Sequence, residues 1–107
     1  MREVRREKIE SLLITLVGNF LLTHKHTTAV VTLMRVSLNE AGSVATAWLS
    51  VLPESEANKV LEELEKERYK LNREVHDYMK SKFIPEVRLA LDRGGEFSKR
   101  MDELLKI

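Results

Sequence analysis

The residues of this chain best suited to chemistry are cations. Arg68, Lys70, Arg73, Lys80, Lys82 and Arg88 run through the second half, and Arg2, Arg5, Arg6 and Lys8 crowd the start. Phosphate binding needs several cations on one surface, helped by free backbone amides at a helix start. The first set flanks Glu67-Arg68, where a helical apolar stripe lapses, and a bend there would supply such a start. Tyr69 and Trp48 offer rings that could stack on bases, or could simply be half-buried packing residues. On charge alone, a solvated helix with staggered signs is the simpler reading.

Other chemistries find little support. His24-x-His26 could put two imidazoles on one side of an extended segment, but no third ligand is placed, and His76 stands alone. Solvent-facing loop histidines, or a phosphate contact beside Lys25, explain the pair as well, so no metal is assigned. Glu62, Glu63, Glu65 and Glu67 are dense enough to suggest acid–base work. At helical spacing they read instead as a wet helix face, with Glu62 facing Lys66, or as a docking face for a protein partner. The four glycines, Gly18, Gly42, Gly94 and Gly95, form neither GxGxxG nor a P-loop. No serine has a nucleophile-elbow context. The absence of cysteine excludes disulfides, thiolate zinc sites and thiol nucleophiles, and is compatible with a reducing cytoplasm. No catalytic residue and no cofactor are expected.

The 107 residues suffice for one domain and one core. Net charge is only +1, yet the signs are segregated. Residues 54–67 carry two cations and six carboxylates, and residues 68–93 carry seven and four. A patchwork of this kind can still turn a positive face toward phosphates. Ser11 to Leu22 is apolar but too short to span a bilayer, and Glu3, Glu7 and Glu10 spoil a signal-peptide start. Neither export nor a membrane is expected, and the protein should be a cytoplasmic monomer.

These side chains must be positioned by a small set of elements. Ile9, Leu12, Leu13, Leu16, Val17 and Phe20 predict a helix over 3–22, with Gly18-Asn19 weakening its last turn. Alternation predicts a strand from about Ala29 to Leu38, with Val30, Thr32, Met34, Val36 and Leu38 on one face. After the turn Asn39-Glu40-Ala41-Gly42, a second strand runs Val44–Leu52 with Ala45, Ala47, Leu49 and Val51 on one face. Pro53 stops it, and Ser55 is placed to cap the next helix. Ala57, Val60, Leu61 and Leu64, then Leu71, Val75 and Met79, give either one long helix of about 27 residues or two with a bend near 67–70. Pro85 ends it and leads into a third strand, Glu86–Leu91. Phe97, Met101, Leu104 and Leu105 mark a short C-terminal helix. The order is α-β-β-α-(α)-β-α, an α+β domain whose crossover between strands two and three should be right-handed.

Several segments resemble the ribosome-binding factor A family. They are Arg35-Val36-Ser37-Leu38, Ala45-Thr46-Ala47-Trp48-Leu49-Ser50-Val51-Leu52, Ile84-Pro85-Glu86-Val87 and Arg100-Met101-Asp102-Glu103-Leu104-Leu105. The likeness covers nearly the whole chain and is best from Arg35 to Leu105. It implies a single type II K-homology-like domain over 1–107 with a three-stranded sheet. It implies a non-catalytic factor that binds the small ribosomal subunit and its rRNA during maturation, with no small-molecule substrate. The ten cations named above would be its RNA contacts. Where the family has a kinked Ala-x-Gly, this chain has Glu67-Arg68-Tyr69. It shows no Asp-Pro-Arg-Leu-like segment near Thr23 to Thr27 and no extended C-terminal tail.

Overall fold

The structure, a computed structural model, describes residues 3–24, 29–79 and 83–92. Helix α1 spans Glu3–Thr23, strand β1 Val30–Leu38, β2 Val44–Leu52, helix α2 Ala57–Tyr78 and β3 Glu86–Leu91. The expected C-terminal helix lies outside the described residues, as do Arg2, Lys25, His26, Lys80 and Lys82.

The sheet has the order β1-β2-β3. β1 pairs antiparallel with β2, and β3 pairs parallel with it, because α2 carries the chain back to the same end. Both helices pack on one face. There Leu13, Leu16 and Val17 of α1 meet Ala45, Ala47 and Leu49 of β2, Val36 of β1, Val87 of β3, and Leu64, Leu71 and Val75 of α2. No polar or charged residue is fully buried among the described residues. The other face of the sheet presents Thr46, Trp48 and Ser50, as the alternation in β2 predicts.

Two expectations change, in β1 and at the start of α2. The alternation read for β1 fails at Met34, where a bulge between Leu33 and Arg35 inserts one residue. Val31 and Leu33 therefore face the core on one side of the bulge, and Val36 and Leu38 on the other, while Val30 and Met34 are exposed. Helix α1 runs through Gly18-Asn19 in keeping with the reading of a helix over 3–22, and Phe20, buried just beyond them, holds the last turn down. Ser55 does not cap α2. It lies in a 3-10 turn, Glu54–Glu56, so Glu56 takes the cap position, with no side-chain cap bond.

The choice between one long helix and two is also settled. α2 is a single helix of 22 residues. Leu64 and Leu71 are seven apart, two helical turns, so the buried stripe keeps its register across the polar Glu67-Arg68.

Candidate nucleic-acid interface

Arg68 is not a free cation. Its Nε donates to Glu65 Oε2 at 2.9 Å, and its Nη1 donates to Glu86 Oε1 at 3.1 Å and to Val87 O at 2.9 Å. Its side chain is 28 % exposed. Partial burial opposes its charge, but the bonds and attraction of Glu86 and Glu65 outweigh this and hold the guanidinium above its usual range. Asn72, one turn on, accepts from Val87 N at 2.8 Å and donates to Val87 O at 3.1 Å. The Asn72 amide thus acts as a strand partner for the outer edge of β3. Arg68 and Asn72 together clasp β3 to α2.

Arg6 is occupied in a similar way. Its guanidinium donates to Leu38 O at 2.7 Å, Asn39 O at 3.0 Å and Glu40 O at 3.3 Å, tying α1 to the β1–β2 turn. In that turn Gly42 has φ 74°, and Asn39 Oδ1 accepts from Ser43 N and Val44 N. Arg5 and Lys8 are exposed on α1. Arg88 is 59 % exposed on the open face of the sheet, 3.4 Å from Glu86 Oε2. The described cations therefore do not share one surface, and with α2 unbroken there is no helix start at 67–70 to add amides.

The cations that do line up are on the solvent side of α2. Lys59, Lys66, Lys70 and Arg73 are exposed and spaced seven, four and three apart. That spacing keeps them on one stripe, roughly 21 Å long at 1.5 Å per residue. Glu62, Glu63 and Asp77 border it. Lys59 and Lys66 were missed in the sequence. Their signal was the spacing, which is visible only once the helix is known not to bend. Lys70 Nζ sits 2.7 Å from Glu67 Oε2, a pairing that raises the lysine's pKa and lowers the glutamate's.

The two rings singled out as base-stacking candidates part company. Trp48 is half-buried, with Nε1 donating to Ser37 Oγ at 3.1 Å. Tyr69 is 56 % exposed, and its ring centroid lies 5.6 Å from Arg73 Cζ and 5.9 Å from Lys70 Nζ. Beside it, a cleft of about 440 Å³ opens between α2 and the lead into β3, with Tyr69, Asn72, His76 and Ile84 in its wall. His76 and Ile84 also line a second hollow of about 320 Å³, which reaches Phe83 and the turn residues Ala41–Ser43.

His24 packs its ring 4.4 Å from that of Phe20, with Nδ1 2.8 Å from Phe20 O. It serves as an end-piece for α1, and no group of three metal-ligating side chains converges among the described residues. Among them, too, no helix is long and apolar enough to cross a membrane.

No curated protein matches the chain in sequence. The crystal structure of ribosome-binding factor A from Thermus thermophilus superposes with a TM-score of 0.67 at 17 % identity, over 83 % of this chain and 97 % of that one. A solution structure from Thermotoga maritima, of a candidate ribosome binding factor A, superposes with a TM-score of 0.63 at 21 % identity, over 87 % and 88 % of the two chains. At such identities the superpositions establish the α+β, K-homology-like fold. The profile of the ribosome-binding factor A family matches residues 5–105, nearly the whole chain, and on that match the chain belongs to the ribosome-binding factor A family.

Proposed function

We propose that this protein is a non-catalytic maturation factor of the small ribosomal subunit, one that binds the subunit and its rRNA through phosphate contacts. The observation that carries this reading is the family match over residues 5–105. The stripe of exposed cations on α2 supports it. Lys66, Lys70 and Arg73 are the central contacts, with Lys59 above them and Lys80 and Lys82 following in sequence. Arg5 and Lys8 form a secondary patch. Arg6 and Arg68 act as positioning residues rather than phosphate ligands, and Arg88 contributes from the opposite side of the sheet. Specificity comes from the shape of the RNA rather than from base edges, since a row of cations on a helix reads backbone geometry. The protein works as a cytoplasmic monomer, with no small-molecule substrate.

Docking of a protein partner on Glu62–Glu67 is the alternative reading, in which the Glu65–Arg68 ion pair already occupies part of the acidic face. The test is the triple variant Lys66→Ala, Lys70→Ala, Arg73→Ala. Its affinity for free small subunits should fall, and the slope of log affinity against log salt should flatten by about 2–3, roughly one for each cation removed. An unchanged slope removes this stripe from the interface.

A further inference from the structure

We infer that Tyr69 is a stacking seat for an unpaired RNA base, served by Arg73 and Lys70 as its phosphate contacts. The inference rests on the RNA-binding reading above and adds the kind of nucleotide that α2 receives. A tyrosine is usually half-buried, with its hydroxyl bonded. Tyr69 is 56 % exposed, and its hydroxyl makes no hydrogen bond among the described residues. Two cations lie within 6 Å of its ring centre, Arg73 at 5.6 Å and Lys70 at 5.9 Å. Arg73 makes no ion pair among the described residues, so it can leave the ring for a phosphate without breaking a salt bridge.

A ring on a helix surface meets the flat face of a base only when that base has left its stack. A duplex offers it phosphates and base edges alone. The cleft of about 440 Å³ that Tyr69 helps to line gives the extruded base somewhere to lie. Tyr69, His76 and Ile84 share its walls with Glu65, Arg68 and Glu86, which are bonded to one another through Arg68, and with the Asn72 amide, which is committed to Val87. A π-face accepts any base, so stacking on Tyr69 distinguishes unpaired from paired RNA.

The experiment measures binding of a short labelled single-stranded RNA and of the blunt duplex of the same sequence to the full chain, by anisotropy across a salt series. Tyr69→Leu should weaken the single strand about tenfold, change the duplex less than about twofold, and leave the salt slope of both unaltered. Tyr69→Phe should bind both as the parent does. Arg73→Gln should flatten the slope by about one. If Tyr69→Leu weakens both RNAs equally, or neither, the inference is overturned. If the parent binds neither RNA nor free small subunits, the underlying reading fails with it. If subunit and duplex binding persist while Tyr69→Leu has no effect on the single strand, this inference alone fails.

Discussion

Arg68 shows how a cation named for one purpose serves another. Sequence alone marks it as a phosphate ligand, because its neighbours Lys70 and Arg73 are cations and, Glu65 apart, its partners are remote. Glu86 and Val87 lie 18 and 19 positions away, and no local pattern announces them. Arg6 misled in the same way, since the carbonyls it holds are 32 to 34 positions off. Arg68→Ala should therefore act on stability. Losing the clasp leaves the Val87 carbonyl with one donor fewer and should cost about 1–3 kcal/mol, read as a lower urea midpoint, with RNA affinity of the folded protein within about twofold of the parent. A large affinity loss at unchanged stability would contradict this. Glu86 gives the companion test. Bonding to Arg68, with Arg88 adding attraction, holds its pKa below the ordinary 4.5. A carboxylate with a lowered folded pKa adds stability above about pH 4.5, and that stability is lost as pH falls through the lowered value. Glu86→Gln should melt below the parent at neutral pH and converge with it in acid, whereas parallel curves would remove the clasp from the stability account.

At the level of elements, what the sequence revealed depends on whether the signal is local. β2 and β3 were legible to the residue, Val44–Leu52 and Glu86–Leu91, because alternation and proline are local signals. The β1 bulge was not. Val30, Thr32, Met34, Val36 and Leu38 alternate without a break, and only pairing with β2 shows that one residue is extra. The continuity of α2 was likewise undecided, since Glu67-Arg68 breaks the apolar stripe and only the clasp on β3 explains why Arg68 sits there. The candidate site followed from that ambiguity: Lys70, Arg73 and Tyr69 were found, but Lys59 and Lys66 fall into line only along an unbroken helix. α1 supplies a clean test. Gly18 sits inside the helix, and a methyl group there would meet nothing within 4 Å. Gly18→Ala should stabilise the protein by about 0.5–1 kcal/mol through reduced backbone freedom in the unfolded chain. In thermal melts that is a rise of several degrees, and a fall would mean that the methyl group meets something after all.

For the molecule as a whole, the consequence of the fold is sidedness. Both helices cover one face of the sheet, so the cations of α2 and the guanidinium of Arg88 look in opposite directions. The near-neutral chain thus sets a row of exposed cations on α2 among that helix's carboxylates. We propose that this helix docks the protein on the small ribosomal subunit through phosphates. Co-sedimentation of the purified protein with free small subunits and with joined ribosomes, across a salt series, tests it most directly. Binding to free subunits should fall steeply with salt, weaken in the Lys66, Lys70 and Arg73 alanine variant, and be lost when the subunits are joined. Absence of binding to free small subunits at low salt would contradict it.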